Sequence, residues 1–187
     1  MPRFSIRALI AVACATLLAI LSTVPMSASA QGATPEADCP PLSPEAIQER
    51  VQAFVDATNA EDLEQLEGLF HPDHQHNWSI TPGSLDLQGY LDTIGNLFDA
   101  YDNYSFTADE ILTADGAAVL RFTASGTQVL DFNGYPPSDQ PATWTGILVI
   151  EFDECGQIVE IWAEADHLGR LIQHGSIEPP MQATPAP

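Results

Sequence analysis

Apolar residues recur at three- and four-residue spacing in three segments of the chain, which is the pattern of amphipathic helices. Ser43 supplies a capping side chain and Pro44 follows at the first helical position, so the first segment has a defined start. Pro72 ends the second segment, because proline disfavours helical backbone in the residue before it. The predicted helices run from about Pro44 to Asn59, from Leu63 to Phe70 and from Leu87 to Ala100.

From Tyr104 onward the apolar period changes from helical to two, and β-branched and aromatic residues become frequent. Asp115-Gly116 and the segment from Glu154 to Gly156 are turn sequences between such runs. Helices followed by a meander of strands predict an α+β fold, a cone-shaped α+β barrel with helices packed on a curved antiparallel sheet around a central pocket. The predicted strands are Tyr104 to Leu112, Ala117 to Leu130, Thr143 to Asp153 and Gln157 to Asp166.

The first thirty residues differ in composition from the rest of the chain. Two arginines precede an apolar run from Ala8 to Val24, and Ala28 and Ala30 are the small residues of a cleavage site. We interpret residues 1–30 as a secretory signal peptide cleaved after Ala30; the alternatives are an uncleaved membrane anchor and a lipoprotein signal at Cys14. Residues 31–43 and 176–187 are predicted to be a flexible linker and a disordered tail around one domain, residues 44–175.

The charge of the chain limits its partners. Its 187 residues include 26 acidic side chains against five arginines and no lysine, a formal net charge of -21. Cleavage removes two arginines and no acid, which leaves 3 - 26 = -23. Nucleic acids and anionic membranes are bound through basic patches, so we expect neither nucleic-acid binding nor stable membrane association after cleavage.

Two cysteines, Cys39 and Cys155, remain once the signal segment is removed. In an oxidising compartment two cysteines most simply form one disulfide, whereas the alternatives are two free thiols or a bridge between two chains. We predict the Cys39–Cys155 disulfide and a secreted location, extracellular or periplasmic.

Four segments of the second half carry a family likeness: Gly126 to Pro137 (GTQVLDFNGYPP), Trp144 to Gly146, Ile158 to Trp162 and Asp166 to Gly175 (DHLGRLIQHG). Together they resemble the SnoaL-like polyketide cyclase (ester cyclase) family, and the likeness covers roughly residues 45–175. The resemblance implies a nuclear-transport-factor-2-like fold with a conical cavity. It also implies a cofactor-independent cyclase or isomerase-like lyase, if the protein is an enzyme.

In this family a carboxylate on the last strand performs acid-base work, and the W-x-x-x-D-x-L-G pattern places Asp166 at that point. Glu164 stands where the family usually has an apolar residue, and Gln128 where it often has histidine. Glutamine cannot exchange a proton, so Gln128 is predicted to bind ligand only. Alternation places Glu164 and Asp166 on one strand face together with Trp162, a face that lines the cavity or meets solvent.

The remaining candidate residues are aromatic or imidazole groups. Three histidines lie between positions 71 and 76, and His74 and His76 project to one face of a strand. Their spacing matches no metal signature, so we favour histidines at the surface or pocket rim, with His76 hydrogen-bonding a ligand. Trp78, Trp144 and Trp162 are predicted to line a pocket for a flat or lipophilic compound, although tryptophans on strands are more often core.

Two functions agree with these features. The first is a secreted protein with acid-base chemistry on a hydrophobic carbonyl compound, in which Asp166 and Glu164 are catalytic. The second is a non-catalytic module that binds a small hydrophobic molecule outside the cell or forms a homodimer through its open sheet. A buried carboxylate with a raised pKa favours the first, and an apolar cavity favours the second. Neither function needs a cofactor or metal.

Overall fold

The computed structural model describes Cys39 and residues 41–179 of the chain. The proposed signal peptide, most of the linker and the end of the C-terminal tail lie outside the described residues. The elements in chain order are α1 (Pro44–Asn59), α2 (Leu63–Leu69), β1 (Phe70–Trp78), β2 (Ser84–Leu85), α3 (Leu87–Ala100), β3 (Tyr101–Ala114), β4 (Ala117–Gln128), β5 (Pro141–Phe152), β6 (Ile158–Ala165) and α4 (His167–Gln173).

The three predicted helices form with nearly the expected bounds, and each begins at a capping residue, of which the sequence analysis named Ser43. The Ser43 hydroxyl accepts the Ala46 N–H at the start of α1, and the Asp62 carboxylate accepts the Gln65 N–H at the start of α2. Asp86 caps α3 in the same way. The apolar stripes of α1 and α3 are buried against the sheet and form the helical side of the core.

Six strands form one curved sheet in the order β2-β1-β6-β5-β4-β3. The four predicted strands are β3 to β6, and they pair antiparallel with their sequence neighbours. The sheet does not close, since β2 and β3 are free edges, so the predicted barrel is an open half-barrel. One side of the sheet carries the core and the other side faces solvent.

Two elements that complete the pocket differ from the expectations. The strand that carries His74 and His76, β1, pairs parallel with β6 at a register that places His76 opposite Ile161, so the sheet is not purely antiparallel. α4 follows β6 directly, in a segment for which the sequence predicted no secondary structure. Asp166 is therefore the N-cap of a helix rather than the last residue of a strand.

Cys39 and Cys155 are joined in a disulfide, with their Cα atoms 5.1 Å apart and 116 positions apart in sequence. Gly156, next to Cys155, has a φ of +82°, which favours glycine in this tight turn between β5 and β6. The predicted pairing within one chain is confirmed. The bridge ties the segment before α1 to the end of the sheet.

No helix in the described part of the chain is both long and apolar enough to cross a membrane.

Candidate functional site

The principal cavity lies between the core side of the sheet and the helices α1, α3 and α4, and has a volume of about 70 Å³. Drug-sized ligands usually occupy pockets of roughly 300–1,000 Å³, so this cavity fits a small compound. Its walls are mainly aromatic and aliphatic, with few polar groups. The aromatic lining consists of Phe54, Trp78, Tyr90, Tyr104, Phe106, Phe122 and Trp144, and the polar lining side chains with nitrogen or hydroxyl groups include Thr58, His76, His167 and Arg170.

β1 brings alternate residues to the core side of the sheet, so His74, His76 and Trp78 point the same way. The His76 ring stacks on Tyr90 with centroids 4.4 Å apart. Burial lowers the pKa of His76 to about 3, which keeps the imidazole neutral at pH 7. His76 Nδ1 is buried without a hydrogen-bond partner, which leaves it available to a ligand in the cavity.

His74 lies deeper than His76, in the core itself. It is fully buried, both ring nitrogens lack a partner, and its ring packs against Phe70 with centroids 4.5 Å apart. Burial lowers the pKa of His74 to about 4. The surface or rim position expected for these histidines is therefore wrong for His74, whereas His76 does line the cavity.

Trp78 connects β1 to α4. Its indole N–H donates to His167 Nε2 across 3.2 Å. Indole nitrogen is only a donor, so His167 Nε2 must be an acceptor and, in the neutral ring, the proton is on Nδ1. Burial, and then the charge of Arg170, lower the pKa of His167 to about 4. The Nδ1 atom is buried and has no acceptor.

Arg170 is the one cation in the cavity wall and is only 3% exposed. Its Nη1 donates to the Tyr101 hydroxyl across 3.0 Å, and its guanidinium carbon lies 5.5 Å from the ring centroids of Phe132 and Trp144. Its Nε is buried without a partner. The two ion pairs in the described residues both belong to Arg121, on the exposed side, so Arg170 has no carboxylate partner there.

Comparison with known proteins identifies the family to which this chain belongs. A profile of SnoaL-like polyketide cyclases matches residues 48–174, more than half of the chain. The chain belongs to the SnoaL-like polyketide cyclase family. No curated protein matches it.

Solved structures agree with this membership and show the nuclear-transport-factor-2-like, ketosteroid isomerase-like fold. TsrD from Streptomyces laurentii is 26% identical, with a TM-score of 0.66 over 73% of this chain and 99% of TsrD. IdmH from Streptomyces antibioticus is 24% identical, with a TM-score of 0.62 over 69% of this chain and 98% of IdmH. A ketosteroid isomerase-like protein from Catenulispora acidiphila is 15% identical, with a TM-score of 0.57 over 68% of this chain and 92% of its own.

The two carboxylates predicted to be catalytic, Asp166 and Glu164, are both exposed. Asp166 is exposed, and its Oδ1 accepts the Gly169 N–H as the cap of α4. Glu164 borders the cavity, but from a strand position whose side chain is on the exposed side. Trp162, on that side too, is 53% exposed. Of the two alternatives for this strand face, the exposure of Trp162, Glu164 and Asp166 favours the solvent-facing one, and catalytic roles for Asp166 and Glu164 stay predictions.

Gln128, at the position where SnoaL-like proteins often have histidine, is 1% exposed and lies outside the cavity. Its Nε2 donates to the carbonyl oxygens of Tyr135, at 2.8 Å, and Leu130, at 3.0 Å. The side chain therefore fastens the loop between β4 and β5. Gln128 thus has a structural role in this loop, and its role in ligand binding stays a prediction.

Trp78 and Trp144 do line the cavity as expected, although that they bind ligand stays a prediction. Sequence reasoning missed Arg170 and His167, because burial of a charged residue cannot be read from a local pattern. The available signals were weak: Asp166 is a typical N-cap, and Arg170 is one of only three arginines after residue 30. No group of three histidines, cysteines or acids in residues 41–179 or Cys39 could hold a metal ion.

Proposed function

We propose that this SnoaL-like protein is exported and that its cavity binds a small, largely apolar compound with a carbonyl group. The family suggests small-molecule binding with a possible cyclase or isomerase role. The observation that carries the proposal is the lining itself, an aromatic cavity with a few convergent polar groups, which is typical of ligand sites. Burial of such walls favours flat, apolar compounds.

The geometry favours binding over turnover. Proton transfer needs a group whose pKa lies near the working pH, and neutral His76, with a pKa of about 3, is a poor base. None of the described carboxylates directs its side chain into the cavity, because Glu164 is on the exposed side of β6 and Asp166 caps α4.

Acid-base chemistry is the second candidate, favoured by His76 and Arg170 together. An imidazole nitrogen without a partner and a guanidinium line the same cavity. Such a pair suits removal of a proton from a carbon next to a carbonyl group, because the guanidinium stabilises the negative charge that develops on the oxygen. In this version His76 accepts the proton and Arg170 holds the oxygen.

Export rests on two supports. The first is the composition of residues 1–30, and the second is the Cys39–Cys155 disulfide, a bond that persists in oxidising compartments. Small-molecule binding outside the cell is then the function, with no nucleic-acid partner for a chain of this charge. We propose cleavage after Ala30 and no membrane association afterwards.

A homodimer is a further proposal, carried by an apolar row on the solvent side of the sheet. Leu112 is paired with Val119, Val119 with Val149, and Val149 with Trp162, so the row crosses four strands in register. These side chains are between 37% and 58% exposed. A second copy of the chain is the proposed occupant, since the same flat row on both copies makes a self-complementary contact. Val149→Glu should convert a dimer to a monomer by sedimentation; a monomeric parent protein contradicts this part.

Binding is tested by titrating small aromatic ketones and related carbonyl compounds into the purified protein while recording tryptophan fluorescence, because Trp78 and Trp144 line the cavity. Ala163→Leu fills the cavity and should weaken binding by at least tenfold. Trp162→Ala, on the exposed side, is the matched control and should leave the affinity unchanged. Equal binding to all three proteins, or no binding by any compound, rejects the proposed site.

Turnover is tested with a compound that binds. Dissolved in heavy water with the protein, a ligand with hydrogens beside its carbonyl group should show no deuterium exchange above background if the protein only binds. Exchange that the protein accelerates, and that His76→Gln abolishes while binding persists, establishes the acid-base function instead.

A further inference from the structure

The buried charge of Arg170 forms no ion pair with any carboxylate in the described part of the chain. A guanidinium has five N–H donors, and the structure gives Arg170 one hydrogen bond, to the Tyr101 hydroxyl. Burial raises the pKa of Tyr101, so its hydroxyl is a neutral acceptor and supplies no negative charge. Burying an ionised group without a partner charge is costly, because the group loses its hydration.

The aromatic rings around Arg170 offset part of this cost. The guanidinium carbon lies 5.5 Å from the ring centroids of Phe132 and Trp144 and 5.9 Å from that of Tyr101. Cation–π contacts attract a cation to the negative face of an aromatic ring. They satisfy no N–H, however, and Nε remains buried without an acceptor.

A second unpaired donor lies on the same helix. His167 precedes Arg170 by three positions on α4, so both side chains leave the same face, and both line the cavity. The hydrogen bond from Trp78 occupies His167 Nε2 and leaves the proton on Nδ1, which is buried without an acceptor. α4 therefore places two residues with unpaired N–H donors in the cavity wall, one of them charged.

We infer that the ligand carries an anionic oxygen group, of the carboxylate class, which pairs with Arg170 and is assisted by His167. This inference rests on the proposed binding function and adds the chemical class of the ligand. A small aromatic or conjugated carboxylic acid fits both requirements: its oxygens accept from α4, and its flat body packs against the aromatic walls. The volume of about 70 Å³ favours the smallest acids of this class.

The charge of the whole protein makes this assignment specific. With a net charge of -21, the molecule repels anions at long range. A preference for an acid over its neutral analogue must therefore come from local contacts in the cavity. Arg121, the other arginine of the sheet region, is half-exposed and paired with Asp109 and Glu110, so it provides no competing anion site.

The test uses matched pairs of acids and their primary amides, such as acetate with acetamide and benzoate with benzamide, because the two members of each pair are similar in size, whereas the acid carries the charge and the amide replaces one acceptor oxygen with an NH₂ donor. Dissociation constants are measured by calorimetry at constant ionic strength. The acids should bind at least tenfold more tightly than the amides. Arg170→Met keeps the apolar stem and should remove this preference, whereas Arg121→Met should retain it.

The outcomes separate this inference from the proposed function. If acids and amides bind parent protein equally, the cavity binds small molecules but the carboxylate class is wrong. If chloride or nitrate binds and no acid does, Arg170 holds an inorganic anion, and the inference is overturned. If neither the acids nor the neutral amides bind, both proposals fail. Parent-protein preferences decide the question even if Arg170→Met does not fold.

Discussion

Trp78 and His167 are joined by a hydrogen bond from the indole N–H to Nε2, 3.2 Å long, that connects β1 to the first residue of α4. The two residues are 89 positions apart in sequence, and both line the cavity. The bond fixes the tautomer of His167 and thereby leaves an unpaired N–H on a residue of the cavity wall. One wall of the site therefore depends on a contact between β1 and α4 that the sequence did not reveal.

Trp78→Phe should raise the pKa of His167 from about 4, because the indole N–H bonds to the lone pair of the neutral ring and so disfavours protonation. Loss of the bond should also lower the free energy of unfolding by about 1 kcal/mol. Titration of the imidazole resonances by NMR measures the pKa. Trp162→Phe, on the exposed side of the sheet, is the control and should leave the pKa of His167 unchanged. An unchanged pKa in both variants contradicts this role for Trp78.

Acid should destabilise the protein through His74. The pKa of His74 is about 4 in the native state against 6.5 ordinarily, so the unfolded state binds more protons as the pH falls. The stability that the neutral buried ring contributes is complete above about pH 6.5 and is lost as the pH falls towards 4. The free energy of unfolding of His74→Leu, relative to that of the parent protein, should therefore rise by about 2 kcal/mol when the pH is lowered from 7 to 4.5.

Denaturant unfolding at each pH measures this difference. His71→Leu, in the same strand, is the matched control, since His71 is half-buried and its Nδ1 accepts the Asp73 N–H. The free energy of unfolding of His71→Leu should change with pH in the same way as that of the parent protein. If the difference between His74→Leu and the parent is the same at both pH values, His74 does not titrate on unfolding.

The disulfide should account for a large part of the stability. A bridge that closes a loop of this length contributes about 4 kcal/mol in the chain-entropy model. Replacing Cys39 and Cys155 with serine should lower the free energy of unfolding by about 3–5 kcal/mol. Thiol labelling of the exported, denatured, non-reduced chain should find none, and two labelled thiols would show that the bridge does not form.

Substitutions of Asp166 distinguish a helix-capping role from a catalytic role. Asparagine caps helices as well as aspartate does, whereas alanine lowers stability by about 1 kcal/mol. The structure therefore predicts that Asp166→Asn folds and binds as the parent protein does, and that Asp166→Ala is modestly less stable. Thermal unfolding and ligand titration measure both. A turnover loss of roughly a hundredfold in Asp166→Asn would restore the acid-base role.

The parts of the fold that sequence could predict are those with local causes. The cap at Ser43 and the apolar stripe after it define α1, and the alternation from Tyr104 onward defines the meander. The spacing of His74 and His76 indicates a strand, but the bounds of β1 and its parallel pairing do not follow from the sequence, because Pro72 breaks the local pattern and its partner β6 is about ninety positions away. The alternation of β6 was extended to Asp166, where the chain turns into α4 instead.

The same distinction between local and long-range causes applies to the residues of the site. Trp78, Trp144 and His76 line the cavity because each sits on the core face of a strand. The burial of Arg170 depends on the docking of α4 against β5 and on rings from distant segments, and neither can be inferred from local spacing. The residues that supply the site's charge and its unpaired N–H were therefore beyond sequence reasoning.

The most direct test of the account is a crystal structure of the protein with one of the acids that binds it. We predict electron density for the compound in the cavity, with a carboxylate oxygen about 3 Å from Arg170 Nε and the ring against Trp144. Density for the compound on the exposed side of the sheet, with the cavity empty and Arg170 Nε still without an acceptor, would contradict it.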